Sequence, residues 1–198
     1  MYSKELRERY LEVLRQRLTQ KRLVHSLGVE KMAVDLAKKY GEDAERAAAA
    51  GLLHDYAKYV PDDKMLAYAQ KFGIPLCHAY EAQPNLLHGP VGAKLVEREL
   101  GICDAQVLAA IAHHTTGARG MSRLEEIVYL SDLLEENREF DGVEQLRGAL
   151  GLGLEQALEQ ALAHELAYLQ KKGGEVHPDT AAAYQWVIEK RREQNGKF

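Results

Sequence analysis

A histidine and an aspartate stand side by side in an apolar helical stretch of the chain, AAAAGLLHDYAK at residues 47–58. The alanines, glycine and leucines predict a helix that packs closely against its neighbours. An unpaired carboxylate in that setting costs several kcal/mol, on the order of the desolvation penalty of an ion. His54 and Asp55 therefore indicate a buried partner, and a metal ion is the leading candidate.

Further imidazole and carboxylate groups occur in or beside other apolar helical runs. His25 follows a basic pair near the start of a helix, His88 precedes Gly-Pro, and His114 ends the run VLAAIAHH. Asp132 is embedded in IVYLSDLLE. Any one of these histidines alone is more often a helix cap or a satisfied core residue. Asp132 alone could equally cap a helix or form a salt bridge with Arg138.

Considered as a set, these groups predict a metal site. Several helices that each present one or two nitrogen or oxygen ligands converge naturally in a helical bundle. Imidazole and carboxylate ligands without a thiolate favour iron, manganese, cobalt, nickel or zinc. The mixed set also suits a catalytic site, in which water keeps a place on the metal.

Two cations stand one helical turn from these ligands. Lys58 comes four residues after His54, and Arg22 comes three residues before His25. Residues at these spacings share a helix face. We therefore expect an anionic substrate such as a phosphate, although each cation alone is more often a solvated surface residue.

The elements that would position these groups are all helical. Abundant Ala, Leu, Glu, Lys and Arg and few β-branched clusters predict an all-α fold. We expect about nine helices in a single domain and no strand, with residues 77–87 irregular or short-helical. The predicted helices are roughly Ser3–Leu18, Thr19–Tyr40, Ala44–Lys58, Asp62–Phe72, Gly89–Leu100, Asp104–His114, Ser122–Asn137, Leu154–Lys172 and Asp179–Gln194.

Composition narrows the class of protein further. The 198 residues carry a formal net charge of −4, which gives no reason to expect nucleic-acid binding. No apolar stretch is long enough to span a bilayer, and the N-terminus lacks the apolar core of a signal peptide. Cys77 and Cys103 form no CxxC pair, which suits a reducing compartment. We therefore expect a cytoplasmic protein.

The order His25, His54-Asp55 and Asp132 resembles the HD-domain metal-dependent phosphohydrolase superfamily. The chain resembles one branch more closely, the YqeK-type symmetrical bis(5′-nucleosyl)-tetraphosphatases. The stretches that carry the likeness lie between about residues 10 and 190: KRLVHSLGVEKMAVDLAKKYG, AGLLHDYAKYV, LLHGPVGAKLV, IAHHTTG, YLSDLLEENRE and HPDTAAAY. The bare HD pair is a weak signal, whereas the ordered set with its flanks is specific.

The resemblance implies an HD-type helical bundle and a set of functional residues. Its implied metal ligands are His25, His54, Asp55 and Asp132, and its implied catalytic residues are Asp55, Lys58, His88 and His114. The implied substrate-binding residues are Arg22, Lys58, His88, His114, Thr115, Arg138, Gly174, His177 and Thr180. The family pattern has one histidine before Thr-Thr-Gly where this chain has His113 and His114, and His114 is the better match. The HD core is expected over about residues 19–140, and helices 141–198 are expected to complete the nucleotide pocket.

The resemblance also implies an activity, the hydrolysis of diadenosine tetraphosphate and related dinucleoside tetraphosphates to two ADP. One iron ion is the implied cofactor, and a second metal stays open because other HD branches bind one at the positions of His88 and His114. Manganese, cobalt, nickel or zinc could substitute. The expected partner is a small nucleotide, with no nucleic acid and no membrane; a homodimer stays open. The alternatives are an HD-type phosphohydrolase acting on other nucleotides and a nucleotide-sensing HD module.

Overall fold

The computed structural model describes residues 2–195. In that range all of the regular secondary structure is helical, and turns and loops join the helices. Eleven α-helices are present in that range, compared with about nine predicted. A 3₁₀ turn at Pro84–Leu87 leads into α6, and a π-helical segment at Val96–Leu100 extends it. The helices are α1 Lys4–Arg17, α2 Gln20–Tyr40, α3 Ala44–Leu53, α4 Asp62–Phe72, α5 His78–Ala82, α6 His88–Leu95, α7 Ala105–His113, α8 Arg123–Leu134, α9 Val143–Ala149, α10 Leu154–Lys172 and α11 Pro178–Asn195.

Side-chain N-caps and C-terminal glycines set the ends of several helices. Ser122 and Glu125 form the predicted capping box at the start of α8, in which each side chain accepts a hydrogen bond from the other residue's backbone N–H. Gly41 ends α2 in the left-handed conformation with φ of 70°, where a residue with a Cβ atom is strained. These signals are read from neighbouring residues alone, so the sequence predicts them well.

The core is centred on α2, which packs along α3 and α8. Close approach of α2 and α3 depends on Gly51, because a Cβ atom there would lie 3.1 Å from the carbonyl oxygen of Val29. Small alanines on α3, including Ala47 and Ala50, are fully buried. This packing brings the end of α3 against the first half of α2, where His25 lies.

The end of α3 differs from the prediction. The helix stops at Leu53 instead of continuing to Lys58, and residues 54–59 form consecutive turns. In these turns Tyr56 N–H donates to the Leu53 carbonyl (3.0 Å) and Lys58 N–H to the Asp55 carbonyl (2.9 Å). This i to i+3 bonding is tighter than α-helical bonding, so the expected α-helix through Lys58 was wrong.

One further helix boundary and one additional helix also differ from the prediction. Helix α8 ends at Leu134 and not near Asn137, because the backbone turns out of the helix at Glu135. Helix α9, Val143–Ala149, lies where no helix was predicted, in a glycine-containing stretch of only seven residues. The segment expected to be irregular or short-helical contains α5 and the 3₁₀ turn. Within the described residues, no helix is both long and apolar enough to cross a membrane.

Candidate functional site

Six side chains from five parts of the chain meet inside the bundle, and we call them the His/Asp cluster. His25 comes from α2, His54 and Asp55 from the turns after α3, and His88 from the start of α6. His114 follows α7, and Asp132 lies in the last turn of α8. All are buried except Asp132, whose side chain is 19% exposed. The members are His25, His54, Asp55, His88, His114 and Asp132.

One half of the cluster joins α2, α3 and α8. His25 Nε2 lies 2.9 Å from Asp132 Oδ1 and 3.2 Å from His54 Nε2. His54 Nε2 is in turn 3.6 Å from Asp132 Oδ1 and 3.5 Å from Asp55 Oδ2. Ligand atoms so close together can bind one small cation.

The other half of the cluster is joined to the first by Asp55. The Nε2 atoms of His88 and His114 lie 2.9 Å apart, and Asp55 Oδ1 is 3.3 Å from His88 Nε2 and 3.9 Å from His114 Nε2. The Thr115 hydroxyl lies 3.2 Å from His88 Nε2 and 3.0 Å from His114 Nε2. Asp55 thus presents one carboxylate oxygen to each half.

The hydrogen bonds on the far side of each ring show that the cluster fits a cation. His54, His88 and His114 each donate Nδ1–H to a backbone carbonyl, those of Gly51, Asn85 and Ile111, at 2.6 to 2.8 Å. Bonding at Nδ1 assigns the lone pair to Nε2.

The surroundings of the fully buried His54 show most clearly why the cluster fits a cation. The described neighbours of its Nε2 are His25 Nε2 and the carboxylate oxygens of Asp55 and Asp132, all of them acceptors. Burial opposes a charge on His54, but Asp55 and Asp132 outweigh it and raise the pKa of the ring. A positive charge is therefore favoured here, and a divalent metal can replace the proton that would otherwise supply it.

Electrostatics in the cluster favour the ligating form of the other groups. Burial alone would raise the pKa of Asp55, but His54 and His88 hold it well below its ordinary value. The pKa of Asp132 is likewise held well below its ordinary value, against burial, by His25, His54 and Arg138. Burial and the nearby His88 and His54 lower the pKa of His114 to about 3. At neutral pH the cluster therefore offers two carboxylates and a neutral His114 ring.

Cationic side chains border the cluster. Arg22 donates to Asp55 Oδ2 at 2.8 Å, and its side chain is 41% exposed. Arg138 forms a short ion pair with Asp132 and also donates to its backbone carbonyl at 2.7 Å. Lys58 donates to Asn85 Oδ1 at 2.9 Å, and burial lowers its pKa. These groups surround the cluster with donors suited to phosphate oxygens.

Glu135 is a site residue that sequence reasoning missed. Its fully buried carboxylate lies with Oε1 3.0 Å from His25 Nδ1, and Oε2 accepts from the backbone and side-chain N–H groups of Asn137 at 2.8 and 2.9 Å. Burial raises the pKa of Glu135, but His25 and Asn137 outweigh it and lower the pKa overall. A Cβ atom on Gly28 would lie 2.3 Å from Glu135 Oε2, so this contact requires glycine. A carboxylate three residues after Asp132 was the available signal.

The two adjacent histidines have different surroundings. His114 lies in the cluster, whereas His113 pairs with Glu125 at 2.6 Å and is 37% exposed. This pairing removes His113 from consideration as a ligand and agrees with the choice of His114.

The segment implied as a nucleoside wall packs against α5. The rings of His177 and Tyr80 have centroids 4.4 Å apart, and His177 Nε2 is 3.3 Å from Cys77 Sγ. Thr180 is buried one turn further on, and Gly174 lies beside Leu169, its Cβ position 3.4 Å from that side chain. The described contacts do not link Gly174, His177 or Thr180 to the His/Asp cluster. Their role in substrate binding stays a prediction.

Comparison with known proteins supplies the family. The HD domain matches residues 22–137, more than half of the chain. A protein of Bacillus subtilis (strain 168) named "Bis(5'-nucleosyl)-tetraphosphatase, symmetrical" is 40% identical over 182 residues, which cover 92% of this chain and 97% of that protein. A protein of the same name from Halalkalibacterium halodurans is 38% identical with the same coverage.

A solved structure shares the fold. It is described as a "predicted HD superfamily hydrolase involved in NAD metabolism from Clostridium acetobutylicum", and it superposes with a TM-score of 0.90 at 39% identity. The alignment covers 96% of this chain and 99% of that one. The matched HD region contains all six members of the His/Asp cluster together with Arg22 and Lys58, and it ends one residue before Arg138. The chain therefore belongs to the HD domain family.

Proposed function

We propose that this protein hydrolyses diadenosine tetraphosphate, and related dinucleoside tetraphosphates, symmetrically to two ADP. The observation that carries the proposal is a buried His/Asp cluster with three cationic side chains at its border, an arrangement suited to a metal ion and a chain of phosphates. The choice of substrate and of the central bond is supported by the names of the relatives from Bacillus subtilis and Halalkalibacterium halodurans.

The proposed cofactor is one divalent cation held by His25, His54, Asp55 and Asp132. We propose iron as its identity on the resemblance, and manganese, cobalt, nickel and zinc share the same preference for imidazole and carboxylate ligands. A bound cation supplies Lewis acidity, which lowers the pKa of water and polarises a phosphoryl oxygen. Asp55, His88 and His114 form a further group whose ligand atoms lie within 4.8 Å of one another, which leaves room for a second ion in the proposal.

Asp55 is proposed to orient the attacking water. The lowered pKa of this carboxylate makes it a weak base, so its contribution is to accept a hydrogen bond from water and aim the oxygen at phosphorus. The Thr115 hydroxyl, between His88 and His114, offers a further polar group for the same water or for a phosphate oxygen. Positioning of this kind is a major part of phosphoryl transfer catalysis.

The cations are proposed to bind the phosphate chain and to stabilise charge on the departing ADP. Arg22 and Arg138 are each bound to a cluster carboxylate and remain partly exposed, so each has donors left for phosphate. Lys58 is held by Asn85 near Asp55. His88 and His114 are proposed to line the phosphate chain, and the lowered pKa of His114 keeps its ring neutral, so that its Nε2 accepts a hydrogen bond and does not donate one.

The rest of the chain is proposed to complete the nucleotide pocket. We assign the HD core to residues 19–140 and the nucleoside walls to helices 141–198, with Gly174, His177 and Thr180 in the wall implied by the resemblance. We further propose a cytoplasmic location, which is supported by the free thiols of Cys77 and Cys103.

Product analysis tests the proposed activity. Purified protein loaded with iron or manganese is incubated with diadenosine tetraphosphate in ¹⁸O-labelled water, and the nucleotides are separated by chromatography. The expected products are two ADP per substrate, with one labelled oxygen in one ADP of each pair. A mixture of AMP and ATP would contradict central cleavage. Turnover confined to other nucleotides in a panel of mono-, di- and triphosphates and cyclic dinucleotides would favour a different HD phosphohydrolase.

A further inference from the structure

A cleft lined by α10 and by Leu133, the residue after Asp132, has a volume of about 730 Å³. It lies between the segment after Asp132 and the C-terminal half of α10. This volume is in the range of small-molecule binding sites, roughly 300–1,000 Å³. Its walls include Leu133, Phe140, His164, Glu165, Tyr168 and Lys171.

The position of the cleft connects it to the cluster. Leu133 directly follows Asp132, and Phe140 comes two residues after Arg138, so one short segment carries both cluster groups and cleft walls. Burial raises the pKa of Glu165, and the negative charge of Asp132 adds to the rise. The cleft is therefore a candidate site for a nucleoside attached to a phosphate chain bound at Arg138.

Aromatic rings give the cleft a surface for a planar ligand. The rings of Phe140 and His164 have centroids 5.3 Å apart at an angle of 41°. Tyr168 is 51% exposed. Nucleic-acid bases stack on such rings whatever their sequence.

Glu165 is an acid without a partner. In the described part of the chain it forms no hydrogen bond and no ion pair, although it is largely shielded from solvent. Two other acids on α10 are paired with cations of α11: Glu155 lies 3.3 Å from Lys190, and Glu159 pairs with Arg191. A shielded carboxylate that lacks such a partner is suited to accept hydrogen bonds from a ligand.

We propose that this cleft binds one of the two nucleosides of the substrate, with the base packed against Phe140 and Tyr168. Glu165 then accepts hydrogen bonds from the edge of the base. The inference rests on the proposed dinucleoside tetraphosphate substrate. An ionised carboxylate accepts two parallel hydrogen bonds from the N1–H and N2–H₂ groups of guanine. Adenine presents one donor, N6–H₂, beside an acceptor, so Glu165 makes the site favour guanine.

The test compares diguanosine and diadenosine tetraphosphate as substrates of the metal-loaded enzyme. Glu165→Gln preserves shape, and its amide can pair with both polar groups on the edge of adenine. We expect it to shift the ratio of kcat/KM toward the adenine substrate by about tenfold or more. Phe140→Ala should raise KM for both substrates by about tenfold, with bound metal unchanged. Glu159→Gln, on the same helix but outside the cleft, is the matched control and should leave the ratio unchanged.

The outcomes separate this inference from the proposed function. If the wild-type enzyme hydrolyses both substrates while Glu165→Gln and Phe140→Ala leave KM and the ratio unchanged, the cleft assignment is overturned and the proposed function stands. If the wild-type enzyme hydrolyses neither substrate, the proposed function is overturned together with the inference that rests on it.

Discussion

A single methyl group at Gly28 tests whether Glu135 orients His25. In Gly28→Ala the added Cβ would lie 2.3 Å from Glu135 Oε2 and 3.0 Å from Cδ, so the buried carboxylate must move. Its movement breaks the 3.0 Å contact with His25 Nδ1 and the two hydrogen bonds from Asn137. Loss of such a partner of a metal-binding histidine typically costs 10- to 100-fold in metal affinity or activity, about 1.4 to 2.7 kcal/mol.

Gly28→Ala also stabilises helix α2. The difference between this gain and the loss of the hydrogen bonds of Glu135 gives the expected change in the free energy of unfolding. Alanine in place of glycine within a helix stabilises by about 0.5 to 1 kcal/mol. Each lost hydrogen bond to the charged carboxylate destabilises by about 1.5 to 3 kcal/mol. Because three such contacts are lost, we expect Gly28→Ala to lower the free energy of unfolding by about 3.5 to 8.5 kcal/mol after the helix gain is subtracted, while the chemical groups of the site stay the same.

Denaturant unfolding and metal titration of the purified variant measure both effects. Gly148→Ala is the matched control, because a Cβ atom there meets nothing within 4 Å. The control should keep wild-type metal affinity and gain slightly in stability. Wild-type metal affinity in Gly28→Ala, together with a stability gain like that of the control, would show that Glu135 does not orient His25.

Three further predictions concern groups around the cluster. Lys58→Ala should raise KM for the nucleotide by about tenfold and retain bound metal; loss of metal instead would assign Lys58 a structural role. His114→Ala should abolish turnover, whereas His113→Ala, which removes only the pairing with Glu125, should retain it. Burial and the nearby His88 lower the pKa of His114 from 6.5 to about 3. Between these values the unfolded chain binds a proton that the folded protein lacks, so the metal-free protein should lose about 1.4 kcal/mol of stability per pH unit of acidification. Unfolding at pH 7.5, 6 and 5 checks this, and an unchanged slope in His114→Gln would contradict it.

The sequence predicts the all-α fold and most helix ends, because periodicity and capping are local. Ser122 with Glu125 and the terminal Gly41 identify their helix boundaries without knowledge of the fold. The end of α3 at Leu53 was not predicted, since the turns after it exchange α-helical bonds for tighter ones. Helix α9 was missed because a stretch of only seven residues has weak periodicity.

The residues that meet in the His/Asp cluster were predictable, whereas their supporting contacts were not. His54 and Asp55 are conspicuous in an apolar run, and the ordered set adds specificity. The contact of Glu135 with His25 joins residues 110 positions apart, and the need for glycine at position 28 appears only when α2 and the end of α8 are packed together. Contacts of this kind depend on tertiary structure, which single-sequence patterns do not specify.

Anomalous X-ray scattering from a crystal of the iron-loaded protein soaked with ADP shows whether the His/Asp cluster holds the metal. We expect an iron peak inside the His/Asp cluster, about 2.0 to 2.2 Å from the Nε2 atoms of His25 and His54 and from oxygens of Asp55 and Asp132, with ADP phosphate beside Arg22 and Arg138. An iron peak bound elsewhere on the molecule, or ADP bound away from an empty cluster, would contradict that expectation.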